Sequence, residues 1–271
     1  MYYFDIIPSD INNIIISYLE IDELMGLFEI IRSLVLNWTT IYAYHYGIYD
    51  NSIDTSKYLM IMGAESLIRK LHLFESISEM IQTDALVLSI NNLTQVPPEI
   101  GTLTNLKALY LDNNELERVP PEIGMLNNLE RLDLRYNNLE QIPPEIGELN
   151  NLKVLNLSQN PLKRLPSEIS NLTNLKTLYL VSNQLTQIPS EIFSLTNLLE
   201  LNLAYNNLTQ VPPEISKLIN LQRLDLSGNQ LNTLPKEISS LKKLQVLTLR
   251  DTQIKEVPEE LKRLKYLNIL T

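Results

Sequence analysis

An asparagine recurs every 23 residues, at Asn91, Asn114, Asn137, Asn160, Asn183, Asn206 and Asn229, and the series breaks one period later at Thr252. A fixed period of this length means one short structural unit, copied and stacked. No single copy can bury its own apolar face, so each must lend that face to its neighbours. Such a stack exposes a long, regular surface, which suits recognition better than it suits a reaction centre. The asparagine itself has a structural use. Its amide carries two donors and an acceptor, and at a recurring bend it can satisfy backbone groups that the turning chain leaves unpaired.

One copy shows the grammar. In residues 103–125, LTNLKALYLDNNELERVPPEIGM, the segment Leu109-Tyr110-Leu111 alternates inward and outward and predicts a short strand. Leu106, Leu109, Leu111, Leu116, Val119, Ile123 and Leu126 supply the buried column, which returns at Leu132, Leu155, Leu178, Leu201, Leu224 and Leu247. A second series, Glu99, Glu122, Glu145, Glu168, Glu191, Glu214, Glu237 and Glu260, always follows a proline by two residues. Proline fixes the entry to a turn, and glutamate favours the positive end of a helical turn. A solvated face opposite the strands is the expected setting for these carboxylates.

The strand positions that point outward behave differently. One column runs Val87, Tyr110, Asp133, Asn156, Tyr179, Asn202, Asp225, Thr248; the next runs Ser89, Asp112, Arg135, Ser158, Val181, Ala204, Ser227, Arg250. Beside them lie Asn113, Tyr136, Gln159, Ser182, Tyr205, Gly228 and Asp251. The structural columns are monotonous and these vary, as a specific contact surface requires. Tyr110, Tyr136, Tyr179 and Tyr205 are the expected anchors of a protein contact. Asp112, Asp133 and Asp225 are expected to pair with basic groups of a partner, with Arg135, Asn156 and Asn202 completing the candidate face.

These residues resemble the leucine-rich repeat family. Its L-x-x-L-x-L-x-x-N-x-L motif stands here as Leu106, Leu109, Leu111, Asn114 and Leu116, and it recurs in register over residues 85–271. The PxEIGxLxNL segment is similar to the intracellular subclass related to Ras-binding scaffolds and to plant and bacterial cytosolic repeats. The resemblance implies an α/β solenoid with a curved parallel sheet on its concave side, in about eight units plus a partial ninth begun by Leu264, Leu267 and Leu270.

Residues 1–84 follow other rules. Only one of the 14 prolines, Pro8, lies there, and apolar residues recur at three- and four-residue steps. Ile11, Ile14, Ile15, Tyr18 and Leu19 share one helix face; Leu24, Leu27, Ile30, Ile31, Leu34 and Val35 share a second; Leu67, Ile68, Leu71, Phe74, Ile77 and Ile81 share a third. A helical domain is expected here, with its boundary near residues 82–85. Residues 7–27, IPSDINNIIISYLEIDELMGL, resemble an F-box, the module that docks to the Skp1 adaptor of cullin-based ubiquitin ligases. Ile7, Pro8, Asp10, Ile11, Ile15, Ile16, Tyr18, Leu19, Glu23, Leu24 and Leu27 match its pattern. The second half departs from it: the family's cysteine is absent and Trp38 comes late. The resemblance implies adaptor binding through Ile7, Pro8, Ile11, Ile15, Ile16, Tyr18, Leu19, Leu24 and Leu27. A plain helical cap on the first repeat is the alternative. F-box and leucine-rich repeat combinations occur in eukaryotes and in large DNA viruses of amoebae, and the abundance of Ile, Asn and Tyr suits an AT-rich viral genome.

Composition narrows the remaining classes. The chain has 271 residues, no cysteine and a net charge of −10. Residues 1–84 carry 12 acidic and 4 basic residues, and the repeats carry 20 and 18, so neither part has the clustered basic surface of a nucleic-acid binder. Without cysteine there is neither a disulfide framework nor a thiol nucleophile. The amino terminus lacks a signal-peptide pattern, and no apolar run is long enough to span a membrane. The triplets Asn171-Leu172-Thr173 and Asn207-Leu208-Thr209 follow from the repeat and are not expected to be glycosylated. His45 and His72 have no ligand-spaced partners, and no phosphate-binding loop or nucleophile motif is present. The expectation is therefore an intracellular, cytoplasmic, non-catalytic adaptor without metal or cofactor. It holds a protein target on the concave face and meets a Skp1-like adaptor through its amino terminus. A scaffold for a small GTPase or phosphatase is the alternative, and the apolar last unit suggests self-association.

Overall fold

The computed structural model of the protein describes residues 83–271. The expected helical domain up to residue 82 and the F-box-like positions from Ile7 to Leu27 lie outside the described residues. Nine three-residue strands follow one another: β1 (Ala85–Val87), β2 (Ala108–Tyr110), β3 (Arg131–Asp133), β4 (Val154–Asn156), β5 (Thr177–Tyr179), β6 (Glu200–Asn202), β7 (Arg223–Asp225), β8 (Val246–Thr248) and β9 (Asn268–Leu270). They form one parallel sheet in sequence order. Each strand begins one residue earlier than the alternation implied, because the chain enters the ladder when the Lys107 and Ala108 N–H groups donate to the Asp84 carbonyl. The register advances by 23 residues, setting Leu86, Leu109, Leu132 and Leu155 side by side. The last step is shorter. Ile269, not Leu270, lies opposite Leu247.

Each of β1 to β8 is followed by a bend and then a five-residue 3₁₀ turn such as Pro121–Met125, entered from Pro120 at φ −69°. The helical part of the expected α/β class is, among the described residues, made only of these turns. Leu106, Leu109, Leu111, Leu116, Ile123 and Leu126 are fully buried between the sheet and the turns, and the equivalent residues of later units join them. A buried leucine contributes roughly 1.5–3 kcal/mol, and here its neighbours belong largely to adjoining units, so that stabilisation exists only in the stack.

The asparagine ladder ties one unit to the next. Asn160, nearly buried, accepts from the Leu139 N–H of the preceding unit at 3.0 Å. Its amide donates to the Leu134 carbonyl of that unit at 3.0 Å and to Leu157 and Ser158 of its own at 3.1 Å. Asn114, Asn137, Asn183, Asn206 and Asn229 accept in the same way from Leu93, Leu116, Leu162, Leu185 and Leu208. Thr252, where the series breaks, donates to the Leu249 carbonyl. A hydroxyl has one proton and cannot also donate to the neighbouring unit. A second asparagine series, not singled out in the sequence, runs along the loops after the turns. Asn128, Asn151, Asn174, Asn197 and Asn220 each donate to a carbonyl 24 residues earlier, at 2.7–2.9 Å.

The glutamate series is less solvated than expected. Glu122 and Glu145 are half-buried, and the Oε2 atom of Glu122 is shielded from solvent. The glycine of the PEIG segment explains this. A Cβ on Gly101 would stand 2.6 Å from the Glu122 carbonyl oxygen, and one on Gly147 would stand 2.3 Å from that of Glu168. Glycine thus lets successive turns approach until each glutamate covers the turn before it.

Replacing Asn160 by Ala would leave the Leu139 N–H and the Leu134 and Leu157 carbonyls without their side-chain partner. The expected loss is about 2–4 kcal/mol, measured as a lower urea midpoint of the full chain; an unchanged midpoint would show that these bonds contribute nothing.

Candidate recognition face

Parallel pairing places the predicted outward column in one row across the sheet, from Val87 and Tyr110 through Asp133, Asn156, Tyr179, Asn202 and Asp225 to Thr248. Four members of this row have a structural use that the sequence reading did not assign. Oδ1 of Asp133, Asn156, Asn202 and Asp225 accepts from the N–H two residues on, at 3.0–3.1 Å. Such a side chain replaces a missing backbone acceptor as the strand ends. The signal was present as Asp or Asn in two pairs of adjacent units, Asp133 with Asn156 and Asn202 with Asp225, each residue ending its strand just before a leucine.

The carboxylates expected to meet a partner are largely engaged within the protein. Asp112 accepts from Ser89 Oγ at 2.6 Å and from Asn113 Nδ2 at 2.8 Å. Arg135 reaches both Asp112, at 3.8 Å, and Asp133, at 3.5 Å. Both aspartates are buried while Arg135 is exposed. Asp225 also takes the Ser227 hydroxyl, at 2.6 Å. The exposed charge on this part of the face is therefore Arg135, which pairs with the two aspartates beneath it.

The tyrosines fall into two kinds. Tyr110 and Tyr179 stand on strands and are half-buried. Burial raises the Tyr179 phenol above its ordinary value, and Glu200, which accepts its hydroxyl proton, raises it further. Glu200, Arg131 and Arg223 form the first outward position of their strands, a column the sequence reading passed over. Tyr136 and Tyr205 are more than half exposed, at 52% and 55%. They lie at the bend directly before the ladder asparagine, with φ of 54° and 55°. Asn113, Gln159, Ser182, Gly228 and Asp251 share that left-handed conformation. It costs a non-glycine residue energy and persists where the surroundings hold it in place. Gly228 is the one glycine of the series, and a Cβ there would stand 2.4 Å from the Tyr205 ring. The ring thus packs against Gly228. The result is two exposed aromatic residues held on a rigid bend, three units apart.

Among the described residues no group of three or more His, Cys, Asp or Glu side chains is placed to hold a metal, and no helix is long and apolar enough to cross a membrane.

Burial raises the Asp133 carboxyl above its ordinary 3.8, and the Arg135 N–H and guanidinium only partly offset it. An acid whose folded pKa is raised adds stability below that ordinary value and loses it as pH rises through the folded value. Asp133→Asn keeps the Oδ1 acceptor that Asn156 provides in the next unit. It is expected to raise the urea midpoint at pH 7, with the advantage shrinking toward pH 4; a lower midpoint at pH 7 would contradict this balance.

The model of the leucine rich repeat matches residues 82–139, 127–185, 173–231 and 196–254. A leucine-rich repeat protein of Leptospira interrogans is similar at 38% identity and a TM-score of 0.62, over 73% of this chain and 57% of that one. The ectodomain of the plant membrane receptor kinase GASSHO1/SCHENGEN3 from Arabidopsis thaliana, in complex with Casparian strip integrity factor 2, is similar at 33% identity and a TM-score of 0.53, over 69% of this chain and 26% of that one. The chain thus spans little more than half the length of the first and about a quarter of the second. No curated protein matches it. Proteins of this kind generally mediate protein–protein interaction and are typically binding scaffolds rather than enzymes. The matched repeats, the 23-residue register and the asparagine ladder together show that the chain belongs to the leucine-rich repeat family.

Proposed function

We propose that the chain is an adaptor. Its strand face, in the repeats of 85–271, holds a protein target, and residues 1–84, as a helical domain of their own, engage a Skp1-like subunit of a cytoplasmic ubiquitin ligase. The observation that carries the first half is the contrast between fixed and varied positions. Leucine and asparagine columns repeat almost unchanged, while the outward positions carry Tyr110, Tyr136, Tyr179 and Tyr205 among arginines and amides. Two of these aromatic residues are presented on bends already held in an unusual conformation, so little ordering is needed on binding. The plant ectodomain's complex with Casparian strip integrity factor 2 supports reading a repeat stack of this kind as a binding module.

The second half rests on the F-box-like residues Ile7, Pro8, Ile11, Ile15, Ile16, Tyr18, Leu19, Leu24 and Leu27. The mechanism is proximity: a target held on one module experiences a high effective concentration of an enzyme bound through the other.

The test is binding of purified Skp1 to the full chain and to a Pro8→Ala/Leu19→Asp variant whose urea midpoint is unchanged. The parent is expected to bind and the variant to lose at least tenfold in affinity, about 1.4 kcal/mol. Failure of the parent to bind would remove the ligase role and leave the amino-terminal residues as a cap. The same experiment with Tyr136→Ala/Tyr205→Ala is expected to leave Skp1 binding intact, since those residues serve the target.

A further inference from the structure

The loop flank of the last repeats differs from the rest of the stack. The position just before each strand reads Asp84, Lys107, Glu130, Lys153 and Lys176 in the early units. Opposite charges there neutralise one another: Lys107 pairs with Asp84 at 3.4 Å, and Lys153 with Glu130 at 2.8 Å. Later the same position becomes Leu199, Gln222 and Gln245, which carry no charge. The loop asparagine series changes as well. After Asn220 its next two positions are Lys243 and Tyr266, so the carbonyl staple that joins earlier loops is replaced by a cation and then an aromatic ring.

A cleft of about 640 Å³ opens at this place. Lys242, Lys243, Arg263 and Lys265 line it together with Gln222, Gln245 and Tyr266, and no carboxylate does. Lys242 donates to the Ser239 carbonyl and Lys243 to the Asn220 amide oxygen, both at 2.7 Å, so both ammonium groups rest on neutral acceptors. Lys265 lies 5.4 Å from the centre of the Tyr266 ring. Among the described residues, neither Arg263 nor Lys265 forms an ion pair. Lys242 and Lys265 occupy the same position in adjacent units, whose strands lie about 4.8 Å apart. Cations gathered this closely, with no carboxylate lining the cleft, focus a positive potential into it. Residues 217–271 carry ten Lys and Arg against six Asp and Glu, whereas residues 85–216 carry eight against fourteen. The polarity is therefore local.

We propose that this cleft binds a compact polyanion of the phosphate type, a polyphosphate or the polyphosphate tail of a nucleotide. A single carboxylate would leave most of the four cations unmatched, whereas a chain of phosphoryl groups presents several acceptors to Lys and Arg at once. The volume falls within the 300–1,000 Å³ range usual for small-ligand sites, roughly. Tyr266 is 78% exposed and offers a free face on which a base can stack.

The test is calorimetric titration of the full chain with inorganic tripolyphosphate, adenosine triphosphate and, as the control, sulfate. Tripolyphosphate is expected to bind with one-to-one stoichiometry and at least tenfold more tightly than sulfate. Lys243→Glu/Arg263→Glu should weaken it at least tenfold. Lys163→Glu/Arg164→Glu, with the same charge change on exposed residues of another unit, should not. Both double variants are first shown to keep the parental urea midpoint. Lys242→Ala/Lys265→Ala provides a second, milder pair that should also weaken binding. Tighter binding of adenosine triphosphate than tripolyphosphate, with the excess lost in Tyr266→Ala, would identify a nucleotide; equal binding would identify the phosphate chain alone. No binding of tripolyphosphate at millimolar concentration, or equal weakening by the two charge-reversed variants, would overturn the proposal.

Discussion

The stack depends on one side chain that spans two units. A short strand followed by a sharp bend leaves backbone donors and acceptors facing inward, where water cannot reach them and where an unmade hydrogen bond is costly. The ladder asparagine meets both needs. At Asn160 the oxygen takes an N–H from the unit before, and the nitrogen serves carbonyls of both units. The leucine core supplies the larger share of the burial, but leucine is not directional. The amide bonds tie each asparagine-bearing bend to the unit before it, and that tie helps keep the leucine columns in register.

The presentation of the outward face follows from the same bend. The residue before the ladder asparagine is pushed into the left-handed region in unit after unit, whatever its identity: Asn113, Tyr136, Gln159, Ser182 and Tyr205 all adopt it, and so does Asp251 before Thr252. Where that residue is tyrosine, the strained bend lifts an aromatic side chain off the sheet. Where it is glycine, as at Gly228, space opens for the neighbouring ring. Scaffold and contact surface are therefore adjacent residues of one turn. Sequence variation at the outward position leaves the fold intact because the inward asparagine does the holding.

The repeat, its parallel strands and its leucine columns were legible because each is written many times over in the same register. The face was legible only as a set of positions. Sequence alone could not separate Tyr136 and Tyr205, which are exposed, from Tyr110 and Tyr179, which are half-buried, because that difference depends on the handedness of a bend rather than on the alternation of side chains. The duty of Asp133, Asn156, Asn202 and Asp225 was missed for a related reason: a short polar side chain that bonds to its own backbone looks, in a sequence, like one waiting for a partner. Arg131, Glu200 and Arg223 were overlooked because the strands begin one residue earlier than the alternation suggested. The glutamates look solvated in the sequence because the approach of one turn to the next at Gly101, Gly124 and Gly147 is a property of two units together.

The most direct measurement is hydrogen–deuterium exchange of the full chain, resolved at the amides of Leu116, Leu139, Leu162, Leu185 and Leu208, which lie outside the strands and donate to ladder asparagines. If the ladder organises the stack, these amides exchange as slowly as those of the central strands. Exchange at the rate of open loops, with the strands still protected, would show that the leucine core holds the units together and that the asparagines merely decorate the bend.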